Sequence, residues 1–98
     1  MKIKILESAI EDIKKGWNFY EKQKEGLGDY FVDNITLDIE SLKYFGGIHQ
    51  KVFSEYYRLL SRKFPFAIYY KIVDQNTIVV YAILDCRQDP DRIKNRLK

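Results

Sequence analysis

The sequence predicts an α+β domain: a small antiparallel sheet with a helical hairpin packed on one face and a short C-terminal helix, in the order β-α-α-β-β-β-α. Three observations carry this. Residues 66–73 and 77–84 are runs of Ile, Val, Tyr and Phe split by Asp74-Gln75-Asn76, the composition and punctuation of an antiparallel hairpin. Residues 10–45 hold two stretches with apolar side chains three and four apart, divided by Gly26-Leu27-Gly28, as in two amphipathic helices joined by a tight turn. A further β-prone run, 52–60, precedes the hairpin across a basic connection ending in Phe64-Pro65, so three short-looped strands form a meander.

Taken in order, residues 2–6 (KIKIL) alternate strictly and read as a short strand. Ser8-Ala9-Ile10-Glu11 has capping-box spacing. The helix after it carries Ile10, Ile13, Trp17 and Tyr20 as its apolar stripe, with Trp17 read as core. Gly16 permits close approach of a neighbour and lowers helix propensity by about 1 kcal/mol relative to alanine. The second helix runs from about Asp29 to Phe45, with Leu27, Phe31, Ile35, Ile39 and Leu42 in phase, and Gly46-Gly47 ends it. Residues 48–51 are connector. After the meander, Asp89-Pro90 form an N-cap and first-turn pair for a basic closing helix.

Strand parity assigns the faces. Phe66, Ile68, Tyr70 and Ile72 form one apolar row, and Ile78, Val80, Ala82 and Leu84 another; both should look into the core under the helices. Ala67, Tyr69, Lys71 and Val73 share the opposite face with Val79, Tyr81, Ile83 and Asp85. A face so rich in tyrosine and aliphatic groups is either a partner surface or the seat of the folded-back C-terminal segment.

The 98 residues suffice for one domain, 1–98, with a single modest core. No run approaches the roughly 20 apolar residues of a membrane span, and acids in MKIKILESAIED argue against a signal peptide. One cysteine, Cys86, and one histidine, His49, exclude an internal disulfide and any familiar zinc site, and a reducing cytoplasm is the expected setting. Residues 1–49 hold seven Lys/Arg against nine Asp/Glu, a net −2; residues 50–98 hold ten against five, a net +5. An acidic partner or nucleic acid is therefore expected on the sheet-and-tail half.

Three passages in this order, FYEKQKEGLGDYF, YYRLLSRKFPFAIYYKI and VVYAILDCRQDPDRIKNR, together with the order of elements that contains them, resemble the RelE/ParE superfamily of toxins from bacterial type II toxin–antitoxin modules. The resemblance spans essentially the whole chain. It implies a cytoplasmic, growth-inhibiting toxin without cofactor, neutralised by a cognate antitoxin whose extended tail wraps it. It also implies one of two targets: RelE-like members cleave mRNA in the ribosomal A site, and ParE-like members inhibit DNA gyrase.

RelE-like cleavage needs a base, an acid and charge stabilisation for the phosphorane. By the resemblance, Arg58 falls at a basic position of such nucleases and Arg87 lies near another. Leu60 and Ala67 stand where RelE itself carries cations, and no Tyr or His follows Tyr81. The ParE-like reading, which asks only for a binding surface, is therefore favoured. Ribosome-dependent cleavage is the alternative, and a partner-binding member without toxicity the third reading. Antitoxin or target contacts are expected from Tyr56, Arg58, Tyr69, Lys71, Tyr81, Arg87, Arg92 and Arg96, with Lys94 in the same basic segment. The groove between hairpin and sheet is the second expected antitoxin surface. For each the alternative is structural: tyrosines as strand packing, Arg58 as a strand cation lying along Tyr56 and Tyr69, and the tail as a solvated basic helix end. His49 reads as an ordinary connector residue and Cys86 as packed.

Overall fold

The computed structural model of the chain describes residues 1–53 and 55–98. Its elements are β1 (Lys2–Ile5), α1 (Glu7–Glu21), α2 (Leu27–Phe45), β2 (Gln50–Val52), β3 (Tyr56–Leu60), β4 (Phe66–Asp74), β5 (Thr77–Asp85) and α3 (Pro90–Arg96). The expected order holds, with one short strand added. The segment expected as connector, 48–51, supplies Gln50 and Lys51 of β2, and the run expected at 52–60 narrows to β3; the two strands pair as a small hairpin, Val52 opposite Tyr56. The sheet order is β1-β5-β4-β3-β2, antiparallel except that β1 runs parallel to β5. The sheet is thus mixed, because a helical hairpin separates β1 from its partner and allows the crossover a parallel pair requires.

The helical hairpin lies on the face bearing Phe66, Ile68, Tyr70, Ile78 and Val80, and closes the main core with Ala9, Tyr20, Phe31, Ile35, Ile39 and Leu42. α1 departs from its expected phase. Ile10 is 40% exposed, and the side that packs is Ala9, Asp12, Gly16 and Tyr20. Trp17 is half-buried at the hairpin turn, its Nε1 donating to Asp29 Oδ1 at 2.8 Å. The helix starts at Glu7 with Leu6 as N-cap and no side-chain cap, so Ser8 lies inside the first turn and donates instead to the Tyr81 carbonyl at 3.4 Å. Strand β1 feeds directly into the helix and leaves no room for a capping box. Gly16 does permit close approach: a Cβ there would stand 2.4 Å from the Phe31 ring.

Ile72, expected in the core, lies beyond its edge at 36% exposure; otherwise the inward rows hold until Val80 and then reverse. Tyr70 pairs with Val80 but Tyr69 pairs with Ala82, leaving Tyr81 as an extra residue in β5. This β-bulge places Tyr81 and Ala82 on the same face and flips every position after it. Ile83 therefore joins the main core, whereas Ala82 and Leu84, expected inside, lie on the opposite face.

That opposite face is covered over half its length. Ile93 and Leu97 of α3 pack on Tyr56, Ala67, Tyr69 and Ala82. Asp89 caps α3 by accepting from the Asp91 amide at 2.9 Å, with Pro90 in the first turn. Seven residues are too few for a stable helix alone, so docking decides its existence. The Tyr56 hydroxyl donates to the Leu97 carbonyl at 2.6 Å, and Arg96 reaches across the sheet edge to Asp12 at 2.9 Å.

Candidate functional site

Beyond Val80 strand β5 has no β1 partner, and α1 and α3 meet over its bare edge. The Asp12 carboxylate, buried at 8% exposure, accepts from the Ile83 amide at 3.0 Å and from Arg96. Arg96 also donates to the Ser8 carbonyl at 3.3 Å. The carboxylate therefore fills two needs, an unpaired strand N–H and a guanidinium brought in from the C-terminus. Beside this junction opens a cleft of about 430 Å³ with an apolar floor of Phe19, Phe66, Ile83 and Leu84. Lys15, Gln88 and Arg92 stand on its rim. Phe19 is 52% exposed although its neighbour Tyr20 is core.

On the outer face Lys71 is fixed from three sides. Its Nζ lies 4.6 Å from the Tyr56 ring centre and 5.1 Å from that of Tyr81, and pairs with Glu55 at 3.1 Å. The hydrogen bond to Glu55 raises its pKa. Tyr56 and Tyr69 are on the expected face but buried beneath α3, at 7% and 2% exposure, while Tyr81 is half-buried. Parity placed these rings correctly and was silent about their cover. The Arg58 guanidinium lies against the Tyr69 hydroxyl, whose pKa burial pushes up and Arg58 draws back. Arg58 has a similar effect on Cys86, which is exposed as a residue, contrary to expectation, although burial still raises its thiol pKa.

Arg87 has a partner of its own, although its charge, like that of Arg58, draws the Cys86 thiol pKa down against the effect of burial. It turns to the helix side, donating to Asp85 through Nε at 3.0 Å and Nη2 at 2.7 Å, and influences Tyr20 in the main core. That pairing holds the Asp85 carboxyl below its usual range. Arg92 stays exposed on the cleft rim, and Arg96 serves the junction above.

His49 was read as a plain connector residue and is more than that. The Tyr70 hydroxyl accepts from the Gly47 amide at 2.9 Å and shares a hydrogen bond with His49 Nδ1. Burial lowers the imidazole pKa. The ring edge also borders a shallow cleft of about 330 Å³ shared with Gln50, Arg58, Leu59 and Leu60. Nothing in the local sequence signals this, because Tyr70 and His49 meet only when β4 packs beside the end of α2. Among the described residues no group of three or more His, Cys, Asp or Glu is placed to hold a metal. No helix among them is long and apolar enough to cross a membrane.

The family model for the ParE toxin of the type II toxin–antitoxin system parDE matches residues 3–90. The chain belongs to the ParE toxin family. It is thereby a type II toxin–antitoxin toxin, within the RelE/ParE superfamily that its sequence resembles. Its fold is shared by a chain of the chromosomal ParDE toxin–antitoxin system from P. aeruginosa, with a TM-score of 0.76 over 85% of this chain and 92% of that one, at 15% identity. No curated protein matches the chain.

Proposed function

We propose that this ParE-family chain arrests growth by binding DNA gyrase in the cytoplasm, and that a cognate antitoxin neutralises it. The observation that carries the binding reading is the arrangement of the cations. Arg58 and Arg87 are each engaged by their own partner, Tyr69 and Asp85, although both charges reach Cys86, and Leu60 and Ala67 stand where the resemblance puts cations in RelE itself. A target surface of Arg58, Lys71 and Tyr81 on the outer face, continued around the end of β5 by Arg87 and Arg92, asks only for recognition. Charge-assisted contacts around a few apolar anchors suffice for that. For the antitoxin, the cleft at the β5 edge offers an apolar floor with Lys15 and Arg92 beside it, its carboxylates Asp12 and Asp85 being occupied by Arg96 and Arg87, and this suits an amphipathic acidic segment.

The test is a purified gyrase assay. Supercoiling should fall and cleaved DNA accumulate at micromolar toxin, and stoichiometric antitoxin should reverse both. Full gyrase activity at that concentration would remove the reading. Growth unaffected by expression, with antitoxin still bound, would point to a member without toxicity.

One observation favours ribosome-dependent mRNA cleavage as the second reading: His49 and Arg58 border one cleft, which pairs a proton-transfer group with a cation. Programmed ribosomes decide it. A-site cuts that disappear in both Arg58→Ala and His49→Gln would replace the gyrase reading.

A further inference from the structure

The lysines of the outer face are gathered by strand register rather than by sequence. Ile3 points into the main core, so Lys2 and Lys4 lie on the opposite face. Parallel pairing sets Lys2 beside Thr77 and Lys4 beside Val79, and on the other side of β5 Val79 stands opposite Lys71. Lys4, Val79 and Lys71 thus form one row across three strands. The outer strands of that row lie about 10 Å apart, two strand spacings.

α3 covers the Ala67–Tyr69–Ala82 end of the face and leaves this end open. Its own last residues extend the charge: Lys94 and Lys98 line a groove of about 400 Å³ together with Lys71 and Tyr56. Lys2, Lys4, Lys94 and Lys98 are exposed. Two acids border the five lysines. Glu55 pairs with Lys71, and Asp74 accepts from the Asn76 amide at 2.8 Å with Lys2 nearby.

We propose that this lysine band binds the sugar–phosphate backbone of double-helical nucleic acid without reading base sequence. Ammonium groups spread along a line suit a polymer of phosphates, which attracts such charges by releasing its own counterions. The strands that carry Lys4 and Lys71 stand about 10 Å apart, near the roughly 12 Å width of a major groove. An acidic protein segment would draw on apolar anchors as well: Val79, between the lysines, is only 8% exposed, and the exposed Val73 and Phe53 stand apart at the two ends of the band, so charge rather than apolar contact dominates it. The inference goes beyond the target reading, since DNA binding is measured with no gyrase present.

The experiment is fluorescence anisotropy of a mixed-sequence duplex of about 20 base pairs with the full chain, over roughly 50–200 mM salt. Affinity should fall with salt. Lys4→Ala/Lys98→Ala should weaken binding by about tenfold or more at low salt and reduce the logarithmic salt slope by about 2. Arginine at the same two positions should restore both. Lys24→Ala/Lys43→Ala, an equal loss of charge on the helical hairpin, should change neither. Absence of binding at the lowest salt, or equal losses from the two double variants, overturns the proposal. So does displacement of the duplex by polyglutamate at equal charge, which would assign the band to an acidic protein. Gyrase inhibition lost while DNA binding persists would count against the target reading alone.

Discussion

His49 is where a single side chain most alters the reading. Its Nδ1 is hydrogen-bonded to the buried Tyr70 hydroxyl, which also accepts from the Gly47 amide at 2.9 Å. Tyr57 stacks on Tyr70 at 5.2 Å, Lys51 lies over Tyr57, and Arg58 borders the same cleft, so the charges nearby are cationic. Burial lowers the folded-state pKa below the ordinary value of 6.5. The unfolded chain therefore takes the proton first. The stability that follows is complete above about pH 6.5 and declines as pH falls through the folded-state value. Urea midpoints measured between about pH 7.5 and 5 should decline toward acid, and His49→Gln should flatten the decline. The chain has one histidine, so an unchanged slope in that variant would rule out this linkage.

At the scale of elements, much was legible. The α2 stripe of Phe31, Ile35, Ile39 and Leu42 is buried as its spacing requires, and the Asp89-Pro90 start of α3 is realised. Such features depend on side chains within one turn or one pleat of each other. The phase of α1 was misread because Ile10 and Trp17 look more apolar than Asp12 and Gly16, yet tertiary contacts choose the latter. Asp12 is buried for its hydrogen bonds, and Gly16 for the space it leaves to the Phe31 ring. That ring is fully buried among Tyr20, Phe64 and Phe66 at 5.2, 5.1 and 4.9 Å. Gly16→Ala should therefore destabilise by about 1–3 kcal/mol despite alanine's better helix propensity. Denaturant unfolding measures this, and Phe31→Leu in the same chain should recover part of the loss. A more stable Gly16→Ala protein would show that the two helices can part without cost.

Over the whole molecule, Asp12 joins the two sides of the sheet. Its carboxylate holds the bare edge of β5 from the helical side and anchors α3 from the other, through a contact spanning 84 residues of sequence. Asp12→Ala leaves a strand amide unpaired and a guanidinium without its partner. The expected cost is about 2–4 kcal/mol, below the full value for a buried pair because Arg96 keeps some solvent. Hydrogen exchange should show α3 losing protection before the sheet does. A change under about 0.5 kcal/mol would mean that Ile93 and Leu97 alone hold the helix.

By itself the sequence determined every strand and helix except β2, their order, and the inward row of β4 from Phe66 to Tyr70, because alternation, helical spacing and turn chemistry act over a few residues. It also carried the likeness to the toxin family. Only the tertiary structure decided the bulge at Tyr81, the burial of Tyr56 and Tyr69 under α3, and the meeting of His49 with Tyr70. The same holds for Lys2 and Lys4, which come from the acidic half of the chain and end on the basic face. Each of these depends on register and docking between segments far apart in the chain, and no local pattern encodes where such partners will stand.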